Sequence, residues 1–98
     1  MYAVIRRYRF DPNDSEEITN RIRDIFVHLL RKAPSFEAYY WLDTGEGEGA
    51  SLSVFRDKAG AEESIRLAAS FVEQHLATLL GKPEIIEGQI RVRADRTR

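Results

Sequence analysis

The residues of this 98-residue chain that could do chemistry are few, and several chemistries drop out at once. There is no cysteine, which excludes a disulfide framework, a thiolate metal site and a cysteine nucleophile together, and fits a reducing compartment. The two histidines, His28 and His75, fall on separate helical stretches with no carboxylate motif beside them, so they make no metal signature and none is expected. Gly45-Glu46-Gly47-Glu48-Gly49 carries two acids, lacks a lysine and opens no helix, so it reads as a turn rather than a phosphate loop. What remains is a set of aromatic and polar side chains at strand spacing: Arg6, Tyr8, Tyr39, Trp41, Ser53 and Phe55. An arginine at mid-strand between apolar neighbours must find a carboxylate, a ligand anion or solvent, so Arg6 either pairs with Glu37 or Glu87 or anchors a ligand. Trp41 and Tyr39 could stack a planar aromatic compound or fill an interface. Tyr8 and Ser53 could orient a substrate by hydrogen bonds or serve as interface donors, and no residue stands out as a catalytic base.

The elements that must position these groups follow from periodicity. Tyr2 to Phe10 reads as a strand stopped by Asp11-Pro12-Asn13-Asp14. Ser15 offers an N-cap to a helix with Ile18, Ile22, Ile25, Phe26, Leu29 and Leu30 on one face, closed by Pro34. Phe36 to Asp43 and Ala50 to Phe55 read as strands joined by the glycine hairpin. Asp57 caps a second helix whose apolar positions run from Ala61 through Ile65, Ala68, Phe71, Val72, Leu76 and Leu79 to Leu80, before Gly81 and Pro83 end it. Ile85 to Ala94 resumes a strand. The order β-α-β-β-α-β predicts a ferredoxin-like α+β domain over residues 1–94, with both helices on one face of an antiparallel sheet, and a solvated tail over 95–98.

Two helices cover one face of such a sheet, so the other face decides whether the protein stands alone. The alternation predicts Ala3, Ile5, Ala38, Tyr40, Leu52, Val54, Ile90 and Val92 under the helices. It sends Tyr2, Val4, Arg6, Tyr8, Tyr39, Trp41, Ser53 and Phe55 to the open side. An exposed patch of that size calls for a partner or a ligand.

Composition bounds the partner. One core is expected at this length, and a net charge of −1 argues against a dedicated duplex-binding protein. Strands one and four are neighbours in this topology, so Arg6, Arg7, Arg9, Arg91 and Arg93 could build a basic strip beside open-face aromatics, as in an RNA-recognition motif. Strand three, however, lacks the basic-Gly-aromatic signature of that module, and nucleic acid is the weaker reading. No apolar run approaches the ~18 residues of a membrane span, and Arg6, Arg7 and Arg9 interrupt any signal-like stretch, so a cytoplasmic protein is expected.

With element order in hand, Ala33-Pro34-Ser35-Phe36-Glu37-Ala38-Tyr39-Tyr40, Ser53-Val54-Phe55-Arg56-Asp57 and Ala59-Gly60-Ala61-Glu62-Glu63-Ser64 are the stretches in which the chain resembles the dimeric α+β barrel superfamily, and within it the small antibiotic biosynthesis monooxygenase-type proteins. The resemblance covers residues 1 to about 94. It implies a homodimer formed through the open sheet faces and a pocket in each protomer between sheet and helices or near the barrel mouth. It further implies cofactor-independent oxidation of a small, mostly apolar or aromatic compound, with a non-catalytic dimeric binding or structural protein as the alternative. Many relatives end strand three with a tryptophan and carry a histidine about nine residues later. Here Phe55 and Ser64 stand at those positions, with His75 about three turns further along the helix.

Overall fold

Branched and aromatic side chains alternating from Tyr2 to Arg9 form β1 in the computed structural model, which describes residues 1–97. Arg98, the last residue of the expected tail, lies outside the described residues. Asp11 then caps a single 3₁₀ turn, Pro12–Asp14, accepting from the Asn13 N–H at 2.9 Å. The chain continues through α1 (Ser15–Arg21), a π-helical turn (Ile22–Phe26) and α2 (Val27–Arg31). Ile18, Ile22, Phe26 and Leu30 descend one face of this helix and are all buried. Ser15 is not the cap: it lies inside the first turn, and its hydroxyl donates to the Asp43 carboxylate. That bond, with one from the Gly45 N–H, holds the Asp43 carboxyl below its ordinary value.

β2 (Phe36–Asp43) and β3 (Glu48–Phe55) form the hairpin, and Asp57 caps α3 (Lys58–His75) by accepting from the Gly60 N–H at 2.8 Å. β4 (Glu84–Gln89) closes a four-stranded sheet of order β2-β3-β1-β4, every neighbouring pair antiparallel. This is the expected ferredoxin-like arrangement with its boundaries corrected: β1 ends at Arg9 rather than Phe10, and β3 begins at Glu48 rather than Ala50. α3 stops at His75, and Leu76 to Leu80 form tight turns in which the Leu79 and Leu80 N–H groups both donate to the Leu76 carbonyl at 2.9 Å. β4 stops at Gln89 rather than Ala94, so Arg91 and Arg93 do not extend the sheet beside β1. The expected basic strip is absent as well: Arg6 is buried and Arg7 is paired with Glu48 at 2.9 Å. Among the described residues no helix is long and apolar enough to cross a membrane.

The sheet is turned over relative to the expectation. Val4, Arg6, Tyr8, Ser51, Ser53 and Phe55 are buried beneath the helices, while Ile5, Tyr40, Leu42 and Ile86 are 39%, 62%, 64% and 68% exposed on the opposite face. Period-two alternation separates the two faces but does not say which one the helices cover. Over its first half α3 turns only Ala61, Ser64 and Ala68 inward, with Phe71 further on, and the aromatic face of the sheet supplies bulk opposite such small side chains. The open face therefore carries smaller aliphatic groups and one exposed aromatic, Tyr40. It offers no stacking platform of the RNA-binding kind.

The register sets Tyr8 opposite Gly49 and Trp41 opposite Ser51, so the indole lies over the glycine. A Cβ at Gly49 would stand 2.7 Å from the indole Cζ2 and Cη2 and 3.0 Å from the Leu42 carbonyl. Gly49→Ala is expected to cost about 1–3 kcal/mol in urea unfolding and to shift the emission of the sole tryptophan, because the ring must leave its seat.

Candidate functional site

Trp41, Ser51, Arg6 and Ile85 occupy one rung across all four strands. From this rung and its neighbours, Arg6, Tyr8, Tyr39, Trp41 and Ser51 form the floor of a chamber between sheet and helices. Its roof is Ile22 and Phe26 from the π-helical turn, Ala68, Phe71 and Val72 from α3, and Leu76 and Leu80 from the turns that follow. The chamber is nearly filled by its own lining: its cavity volume is about 20 Å³, room for about one water. Ring contacts stiffen its walls: Phe26 meets Tyr39 edge-on at 5.6 Å and Phe71 at 5.0 Å, and Tyr8 lies 6.3 Å from Trp41. The π-helical turn sets Ile22 and Phe26 into the roof, and such turns recur at functional sites.

Arg6 dominates the electrostatics. It is 6% exposed, its Nε donates to the Tyr8 hydroxyl at 2.9 Å, and its guanidinium carbon is 5.8 Å from the Tyr8 ring centroid. It joins none of the ion pairs among the described residues, and its buried Nη1 has no hydrogen-bond partner. Neither expected carboxylate reaches it: Glu37 pairs with Arg56 at 3.6 Å, and Glu87 is exposed on β4. The buried Trp41 Nε1 is the other donor without a partner. Burial pushes the Tyr39 phenol well above its ordinary value, with the Ser51 hydroxyl acting in the opposite sense, so Tyr39 stays protonated at neutral pH and cannot be a base there.

Of the six residues singled out by their types, Arg6, Tyr8, Tyr39 and Trp41 converge on the chamber. Ser53 and Phe55 do not: they are buried further along β3, where Phe55 meets Phe36 edge-on at 5.9 Å in the core. Ser51, two residues earlier on the same face, takes the place expected of Ser53. The roof residues were visible as the apolar faces of the helices, but periodicity does not separate a chamber wall from solid core. Ser64 donates to the Ala61 carbonyl at 2.6 Å, and His75 lies against Phe71 at 5.3 Å without lining the chamber. Among the described residues no cluster of three or more histidines and carboxylates could hold a metal ion.

No protein-family model matches the chain, and no curated sequence matches it. Solved structures do. The fold is similar to that of NE2512, a protein of unknown function from Nitrosomonas europaea, with a TM-score of 0.79 at 20% identity over 95% of this chain and 91% of that one. MhuD, a heme-degrader from Mycobacterium tuberculosis, matches with a TM-score of 0.75 at 13% identity over 97% and 100% of the two chains. SnoaB, a cofactor-independent oxygenase from Streptomyces nogalater, matches with 0.69 at 13% over 94% of each. The chain thus has the same fold as these proteins and as a solved antibiotic biosynthesis monooxygenase, which matches with a TM-score of 0.69 at 19% identity over 92% of this chain and 98% of that one.

A buried cation without a counter-charge destabilises the fold that holds it. Arg6→Met is expected to raise stability by about 1–2 kcal/mol in urea unfolding, the relief of the charge outweighing the partner lost by the Tyr8 hydroxyl.

Proposed function

We propose that this protein is a homodimeric small-molecule protein of the antibiotic biosynthesis monooxygenase type, whose chamber, about 20 Å³ when empty, widens to take a small aromatic compound and exposes its anionic form to O₂. The observation that carries this reading is the pairing of an aromatic-walled chamber with two buried donors, Arg6 Nη1 and Trp41 Nε1, that no group of the protein satisfies. The second copy would cover the face bearing Ile5, Tyr40, Leu42 and Ile86, which is apolar and exposed. The absence of cysteine fits a cytoplasmic setting.

In the oxidative version a methylene carbon between aromatic rings ionises, and the carbanion takes up O₂ as a hydroperoxide. Loss of water then leaves a carbonyl, so one O₂ converts one CH₂ to C=O and one H₂O. Arg6 would stabilise the anion, and the Tyr8 and Ser51 hydroxyls would orient it. The lining contains no carboxylate and no histidine, so the substrate must be acidic enough to ionise without a protein base. This same feature favours the second reading, a binding protein with the same pocket and no turnover. A haem fits poorly: the chamber is smaller than a porphyrin, and its lining offers no histidine, cysteine or methionine, while its buried Tyr39 phenol is held protonated.

Native mass spectrometry of freshly purified protein is expected to give a dimer, and Leu42→Asp with Ile86→Asp a monomer; a monomeric parent would sink the sheet-face partner. In an oxygen electrode, anthrone is expected to consume one O₂ per molecule faster than in buffer. Arg6→Ala and Trp41→Ala should each lower the catalysed rate by about 10²-fold. Binding of anthrone without any acceleration would leave the binding-protein reading.

A further inference from the structure

Arg6 and Trp41 flank Ser51 on the rung that crosses the sheet, one strand to either side of it. Neighbouring strands lie about 4.7–4.9 Å apart, so the two long side chains rise from backbones about 10 Å apart, over a residue too short to fill the gap between them. All three line the cavity of about 20 Å³. The two buried side-chain donors left without a partner among the described residues belong to this pair, Arg6 Nη1 and Trp41 Nε1.

We infer that Arg6 and Trp41 hold a monoatomic anion, chloride in ordinary solution, in the closed chamber. Size is the first constraint. The cavity has room for about one water, and chloride is only slightly larger than water, whereas a carboxylate, phosphate or sulfate brings several oxygens. Charge is the second. Arg6 is 6% exposed and in no ion pair among the described residues, so a water would accept its hydrogen bond and leave its charge uncompensated. Hydrogen-bonding capacity is the third. A water accepting from Nη1 and Nε1 must itself donate twice, yet the lining side chains include no carboxylate or histidine, and the Tyr8 oxygen already accepts from Arg6 Nε at 2.9 Å. A halide only accepts, which matches a guanidinium and an indole that only donate. The halide occupies the closed chamber, whether or not its walls part for a larger compound.

Trp41 is the sole tryptophan, so nitrogen-15-labelled protein gives one indole Nε1–H resonance, which reports on the site directly. Sodium chloride exchanged for sodium gluconate at constant ionic strength is expected to move that resonance along a saturating curve with a midpoint in the millimolar range. Sodium sulfate at matched ionic strength should leave it in place. Arg6→Gln should abolish the saturating response. Ser51→Val, which narrows the gap and keeps both donors, should weaken binding about tenfold or more. Crystals of the unaltered protein soaked in sodium bromide should show an anomalous peak within hydrogen-bond distance of both Arg6 Nη1 and Trp41 Nε1, a readout that needs no variant to fold. A water at that place with no bromide signal would overturn the anion site, as would a response that sulfate matches or that survives Arg6→Gln. Bromide in the crystal with no saturating shift in solution would mark an adventitious ion only and would overturn it too.

Discussion

Phe55 and Tyr8 of the sheet are buried beneath a helix whose inward positions at 61, 64 and 68 carry only Ala, Ser and Ala before Phe71. Interiors are close-packed, so small side chains on one layer demand large ones on the other. That match selects the aromatic face of the sheet as the inner face and leaves the aliphatic face outside. It also leaves a residual space, because rigid rings bridging two layers do not fill every gap. The chamber sits where α3 gives way to the turns at Leu76 to Leu80 and where the π-helical turn at Ile22–Phe26 brings in a ring from the other helix.

Arg6 is on the inner face as a consequence of that choice, since it shares parity with Val4 and Tyr8. Its burial is a cost that core packing does not offset, because the guanidinium receives one aromatic neighbour and one hydroxyl acceptor but no carboxylate. An apolar residue there would make a better core. On the proposed reading an external oxyanion completes the position, and stability is given up for a group held ready in a low-dielectric place. The protonated Tyr39 belongs to the same logic, since an apolar wall that raises its phenol also strengthens any hydrogen bond made inside.

The outer face has a different role. Ile5, Tyr40, Leu42 and Ile86 form an exposed apolar surface on the side of the sheet away from the helices. Chamber and outer face are back to back across the same strands: Tyr39 and Trp41 point inward while Tyr40 and Leu42 point outward.

Element order, the hairpin and the Asp57 cap were legible in the chain, because turn formers, capping side chains and hydrophobic period act within a few residues of one another. So were four of the chamber residues, since an arginine, a tryptophan and two tyrosines at strand spacing are conspicuous whichever way the sheet faces. Which face lay inward was not, because both faces alternate with the same period and both are apolar; the small residues of α3 at 61, 64 and 68 were the signal that could have decided it. The exchange of Ser53 for Ser51, the stop of β4 at Gln89 and the missing partner of Arg6 were fixed only by tertiary structure. Each depends on how far one layer sits above another and what stands across the gap, a distance set by the summed volumes of side chains remote in sequence.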